Sequence, residues 1–274
     1  MVNSTRIGIV QLCSRNDVAQ NLQIVENLVA DAVIQGAEVV FLPEAFAYIG
    51  ADEGQIPLAE TFTSPGPILS SCVNLAHTHG VHLIAGGFPE KASSDRIYNT
   101  CFHVSPAGDI QARYRKIHLF DVDLADGTKL QESRTTAHGQ QLITTELPFG
   151  TLGLSVCYDL RFPRLYQSLV DAGAVAVTVP AAFTAYTGQA HWHVLLRARA
   201  IECQAYFIAP AQVGDHGYPG RQSFGHALVV DPWGTIVAEC STDEPSVAVV
   251  EINRSEVTRI RSQLPSLKHQ REFQ

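Results

Sequence analysis

No apolar stretch of this 274-residue sequence approaches the roughly 20 residues that a bilayer-spanning helix needs, so no membrane partner is expected. Positive charge is scarce: 19 Lys and Arg stand against 27 Asp and Glu, a formal net charge of -8. The cations are scattered, which removes the electrostatic footprint of a nucleic-acid binder and leaves any anionic ligand to a local cation. Cys-x-x-Cys pairs are absent. The six cysteines (Cys13, Cys72, Cys101, Cys157, Cys203, Cys240) stand mostly among apolar residues, as reduced thiols of a cytoplasmic protein do. The first residues, Met1 to Arg6, lead straight into an apolar segment without the charged flank, apolar run and cleavage site of a signal peptide. Neither the phosphate loop Gly-x-x-x-x-Gly-Lys-Ser/Thr nor the dinucleotide fingerprint Gly-x-Gly-x-x-Gly occurs. His191-Trp192-His193 lacks the spacing of a His-Glu-x-x-His zinc helix, so neither a metal nor a cofactor is expected.

What is present is an alternation of strand and helix signals. Strands are predicted at Arg6–Leu12, Glu38–Leu42 and His82–Gly86, and helices at Asn21–Gln35 and Ile68–His79, closed by Gly36 and Gly80. Tyr98–Ser105 and Ile110–Lys116 flank Pro106-Ala107-Gly108-Asp109, a hairpin signal. The second half repeats the plan with strands at Leu152–Val156, Ala176–Val179, Tyr206–Pro210 and Val247–Glu251, and helices at Arg164–Ala172 and His191–Cys203. No linker or low-complexity run interrupts the series, and 46% hydrophobic residues suffice for a large core, so one domain over 1–274 is expected. These signals suit either two mixed sheets packed face to face with helices outside or a single doubly wound sheet.

Three predicted strands end in chemistry. Val39-Val40-Phe41-Leu42-Pro43-Glu44 delivers a carboxylate, Tyr114-Arg115-Lys116 an ammonium, and Gly153-Leu154-Ser155-Val156-Cys157 a thiol. The last run imitates a serine-hydrolase elbow, but Cys157 stands where that motif needs its final glycine. A free thiol, pKa near ~8.5, is only slightly ionised at neutral pH, so a cysteine nucleophile needs a base or a neighbouring cation. Glu44 and Lys116 can supply both. Ala176–Phe183 echoes Val39–Phe46, by chance or by duplication, with Ala181 in the place of Glu44.

Leu42-Pro43-Glu44, Tyr114-Arg115-Lys116-Ile117-His118 and Val156-Cys157-Tyr158-Asp159, in that order, resemble the nitrilase (carbon-nitrogen hydrolase) superfamily over nearly the whole chain. Gln131-Glu132-Ser133, Ala190-His191-Trp192 and Val230-Asp231-Pro232-Trp233-Gly234 resemble its Nit branch of amidases. The resemblance implies an α-β-β-α sandwich of two mixed sheets with outer helices, commonly a homodimer or higher homo-oligomer. It implies a cysteine amidase converting a small linear carboxamide to carboxylate and ammonia through a thioester. Glu44 would be the general base, with Lys116 and the Tyr158 N–H stabilising the oxyanion, and Glu132 orienting Lys116 and the substrate amide.

Arg161 would reach a substrate carboxylate, or else pair with Asp159 or another carboxylate to fix the turn. His118 is expected to be a structural hydrogen-bonder, His191 and Trp192 to pack beside the pocket, and Arg197, Arg199 and Glu202 to form structural pairs. Ile201–Tyr206, Ala211–Gly214 and Ser223–His226 resemble the deaminated glutathione amidases more than the omega-amidases that cleave α-ketoglutaramate. The Cys-Gly extension of deaminated glutathione would then lie between loops at Ala47–Ile56 and Gly214–Arg221, with Arg221 toward its carboxylate. A nitrilase, an N-carbamoyl hydrolase and a non-catalytic binding scaffold are the competing readings.

Overall fold

The structure, a computed structural model, describes residues 4–240 and 243–271. Its α-helices are α1 (Val18–Ile34), α2 (Pro67–His79), α3 (Pro163–Asp171), α4 (Ala185–Cys203) and α5 (Arg254–Gln263). Asp17 caps α1 by accepting from the Gln20 N–H at 3.0 Å, and Gly80 ends α2 at φ 64, a left-handed conformation that glycine adopts without a β-carbon clash.

One mixed sheet runs Gln222–Phe224, Ala211–Asp215, Ser4–Leu12, Val39–Leu42, His82–Lys91, Ile97–Val104, Ile110–Arg115, with Ser246–Asn253 antiparallel along Ser4–Leu12. The other runs Ile236–Glu239, Leu228–Val230, Tyr206–Ala209, Ala176–Thr178, Gly150–Leu154, Thr144–Leu147, with its central strands parallel. Strand alternation assigns the layers. Ile7, Ile9, Val39 and Phe41 share one buried cluster with Leu152, Leu154, Val177 and Phe207 of the other sheet. Val10, Leu12, Val40 and Leu42 point the opposite way, into a second cluster with Val25 and Val29 of α1 and Leu69 and Cys72 of α2. Leu169 of α3 and Trp192 and Leu196 of α4 cover the second sheet. The order is helices, sheet, sheet, helices. Both faces of each central strand are covered, which is why Val39–Leu42 reads as a continuous apolar run.

Three elements depart from the sequence reading. Helix α4 starts at Ala185, ahead of the predicted His191, because Gly188 lets Phe224 lie against it: a β-carbon at Gly188 would stand 2.3 Å from the Phe224 Cβ. Packing there overrides the low helix propensity of glycine. The predicted loop Gly214–Arg221 is the turn of a hairpin formed by Ala211–Asp215 and Gln222–Phe224, two strands that the sequence signals leave unassigned. The His82 strand continues past Gly86 to Lys91 through a register shift between Ala85 and Phe88. Among the described residues, no helix is long and apolar enough to cross a membrane.

Candidate active site

The Val39–Leu42 strand ends at Pro43-Glu44, the Ile110–Arg115 strand at Lys116, and the Gly150–Leu154 strand shortly before Cys157. All three side chains are buried, at 6, 2 and 7% exposure, and all line one cavity of about 930 Å³ including its mouth. The Lys116 ammonium donates to Glu44 Oε1 at 3.0 Å and to Glu132 Oε2 at 2.8 Å. Glu44 Oε2 accepts the Ala182 N–H at 2.9 Å, a bond that crosses from one sheet to the other. The Cys157 thiol faces the same cavity, close enough to Glu44 and Lys116 for both charges to act on it. The four residues that resemblance singled out as catalytic, Glu44, Lys116, Cys157 and Glu132, are thus brought together.

Two backbone features make the approach possible. Cys157 lies at φ 48 and Ala45 at φ 56, left-handed conformations that cost a residue with a β-carbon about 1–3 kcal/mol each. The Cys157 N–H donates to the Pro180 carbonyl at 2.9 Å, which fixes the turn. Gly87, at φ 70 in the bulge of the His82–Lys91 strand, admits the Glu44 backbone: a β-carbon there would stand 2.3 Å from the Ala45 nitrogen.

Asp159 holds the turn after the thiol from beneath. It is fully buried and accepts from Tyr114 Oη at 2.7 Å, from the Val156 N–H at 2.9 Å and from His118 Nδ1 at 2.7 Å. His118 also stacks on Phe162 at 3.7 Å between centroids, so it is the structural hydrogen-bonder expected. The Tyr158 ring packs against Phe120, and its N–H follows Cys157 directly in the chain.

Arg161 does not pair with Asp159. Asp159 is occupied, and Arg161 instead lies over the Phe183 ring at 5.1 Å, with Nη1 3.3 Å from His191 Nδ1, away from the cavity lining. His191 and Trp192 do not line the cavity either. Trp192 is fully buried and donates to the His226 carbonyl at 2.8 Å. The expected structural role of the helix charges is met by Arg199 with Glu202 at 3.0 Å and by Arg197 with the Gly234 carbonyl at 2.8 Å.

Asn99 escaped the sequence reading. Its amide nitrogen donates to Glu44 Oε1 at 2.9 Å and to Glu132 Oε1 at 3.1 Å, bridging the two carboxylates that share Lys116. The signal was available, because the Tyr98–Ser105 hairpin strand sets Asn99 opposite Lys116, whose N–H it accepts at 2.8 Å.

Residues 6–262 match the carbon-nitrogen hydrolase family. The chain belongs to that family. It is 45% identical over 265 residues to a deaminated glutathione amidase of Synechocystis sp., spanning 95% of this chain and 96% of that one. The crystal structure of the C. elegans NitFhit protein superposes with a TM-score of 0.91 at 39% identity, covering 98% of this chain and 65% of that one. Saccharomyces cerevisiae Nit3, a member of branch 10 of the nitrilase superfamily, superposes with a TM-score of 0.85 at 28% identity, covering 96% and 95%.

Within this carbon-nitrogen hydrolase, burial and charge set the protonation states. Burial pushes the Glu44 carboxyl up, but the Lys116 charge and the bonds from Cys157, Lys116 and Ala182 outweigh it and hold the carboxyl below its ordinary range. Burial works against the Lys116 charge, yet Glu132 and Glu44 keep its pKa well above the usual value. For Cys157, burial and the Glu44 charge together overcome Lys116, so its pKa lies well above that of a free thiol. The resting site is a carboxylate, an ammonium and a neutral thiol.

The sign of the pH dependence follows. Falling pH protonates Glu44 only below the ordinary carboxylate range, and rising pH ionises the thiol or strips the ammonium only above their ordinary values. The kcat/KM profile should therefore show no inflection from these groups between about pH 5 and pH 8.5. Steady-state rates across that range check it, and a midpoint near pH 6.5 removed by substituting Glu44 would contradict it.

Proposed function

We propose that this chain is a cysteine amidase cleaving a linear amide through a thioester, with deaminated glutathione as its substrate. The observation that carries the reading is one cavity lined by Glu44, Lys116 and Cys157, with Glu44 bonded to Lys116. As the sulfur attacks the amide carbonyl, Glu44 takes the thiol proton, and the oxyanion forms beside the Lys116 ammonium and the Tyr158 N–H. Collapse breaks the C–N bond as Glu44 returns the proton to the leaving amine. Water then attacks the thioester, Glu44 takes its proton, and the carboxylate product leaves as the thiol is restored.

The 45% identity to a deaminated glutathione amidase supports the substrate. Its chemistry corrects the expected product: the reacting carbonyl carries the nitrogen of the Cys-Gly extension, so cysteinylglycine leaves rather than ammonia. Ammonia leaves only from a primary amide such as α-ketoglutaramate.

Arg221 lines the cavity and pairs with Asp52, which also lies 3.7 Å from Arg134. The two predicted loops therefore meet through an ion pair, and a substrate carboxylate would share Arg221 with Asp52. Wild type should show a higher kcat/KM for deaminated glutathione than for α-ketoglutaramate, measured as cysteinylglycine and ammonia release. Arg221→Ala should reduce that ratio by about tenfold or more, the size of a charge-assisted hydrogen bond. Equal wild-type constants would refute the substrate, and an unchanged ratio would free Arg221 of the role.

We place the enzyme in the cytoplasm, a reading supported by six cysteines that are all free thiols. We also infer a homodimer. Leu267 of the C-terminal segment packs against the core, but Leu264 is 50% exposed, and Tyr186, Val194 and Ile201 of α4 are exposed apolar residues at 52, 67 and 49%. A two-fold contact through α4 would bury them. Light scattering at micromolar concentration should give twice the chain mass, and a fully active monomer would refute it.

A further inference from the structure

We propose that His193, His226 and Glu239 form a binding site for a divalent transition ion, zinc foremost, apart from the catalytic cavity. Nε2 of His193 and Nδ1 of His226 stand 2.9 and 2.6 Å from the same oxygen, Oε1 of Glu239. The three donor atoms all lie within 4.8 Å of one another. Two imidazole nitrogens and one carboxylate oxygen are the donor set of an open zinc site, where water fills the remaining position. Nitrogen donors disfavour calcium and magnesium, which take oxygen ligands.

The donors come from three elements: α4, the turn before the Leu228–Val230 strand, and the Ile236–Glu239 strand. Glu239 is 46 residues from His193 and 13 from His226, so no ligand spacing marks the set in the sequence. Each donor is only partly exposed, at 31, 20 and 33% of its side chain, enough for an ion to enter and little enough to hold the rings.

The surroundings orient the ligands before any ion arrives. His226 is stacked on Phe224 at 4.4 Å between centroids, and its carbonyl is pinned by the Trp192 indole at 2.8 Å. It lies at φ 57, a strained conformation for histidine that those contacts maintain. A neutral imidazole coordinates by moving its proton to the far ring nitrogen. The incoming ion thus replaces two hydrogen bonds to Glu239 by bonds to all three groups, with no change of redox state.

The test is isothermal titration calorimetry with zinc chloride on the Cys157→Ser chain, which lacks the catalytic thiol as a competing ligand. One ion should bind per chain with a Kd tighter than about 10 µM. His193→Ala and Glu239→Gln, each made in that chain, should weaken binding by more than about tenfold, since even the outer partners of metal ligands contribute that much. His77→Ala, an exposed histidine elsewhere, should leave binding unchanged. Thermal melting run in parallel verifies that each variant folds. His193→Ala and Glu239→Gln leave the strained backbone at His226 untouched, so the test survives if a variant at His226 fails to fold. Absence of binding to the Cys157→Ser chain, or equal affinity in His193→Ala and Glu239→Gln, would overturn the proposal and leave a hydrogen-bonded His-Glu-His cluster.

Discussion

Cys157→Ser should lower kcat by about 10⁴-fold or more, because a serine hydroxyl at this position must lose its proton to a carboxylate whose pKa is held below the ordinary range. The thiol is a workable partner for so weak a base only because sulfur attacks well while its proton is still being transferred. The substitution is nearly isosteric and leaves the Cys157 N–H on the Pro180 carbonyl, so stability should change by less than about 1 kcal/mol. The other cysteines give the contrast. Cys157 opens onto the cavity, whereas Cys72 and Cys101 are fully buried and do not line it. Alkylation followed by mass spectrometry should therefore find that activity is lost in step with label at Cys157. Label at another cysteine tracking the loss would refute the assignment.

Lys116→Met should be the most damaging single change at the site for folding and turnover together. The ammonium is 2% exposed and bonds two carboxylates, which Asn99 alone would then bridge. Removing one partner of a buried ion network costs about 3–5 kcal/mol, because the remaining charges are left desolvated and uncompensated. For a chain of this size that lowers Tm by about 5–9 °C. The same loss would raise the Glu44 pKa and remove an oxyanion donor, lowering kcat/KM by at least about 10³-fold. Calorimetry and steady-state kinetics measure the two effects. Adding Glu132→Gln to Lys116→Met should restore part of the stability by removing one of the two facing charges, without restoring turnover. A Tm within about 2 °C of wild type in Lys116→Met would show that the pair is not the buried network described here.

How much of this was legible in the chain depends on range. Glu44, Lys116 and Cys157 each follow a strand whose apolar pattern is local, so their places at strand ends could be read from neighbours. The pairing of a strand-39 carboxylate with a thiol on the opposite sheet could not, and it rested on resemblance until the Ala182 and Lys116 bonds gave it geometry. Helix α4 was started late because Gly188 argues against a helix until Phe224 is placed against it. The spacing of Arg161 from Cys157 suggests a substrate ligand, and its closeness in sequence to Asp159 suggests a turn-fixing pair. Tyr114 and His118, more than 40 residues upstream, claim that carboxylate instead. The His193, His226 and Glu239 cluster left no trace in spacing because three separate elements supply it.

The Ala182 N–H to Glu44 bond has a consequence for how activity can be lost. Cys157 follows a strand of one sheet and Glu44 a strand of the other, and this bond is one of the stitches across the seam. Parting the layers would separate the two side chains, so we expect amide cleavage to be lost when the sheets come apart, before either sheet unravels.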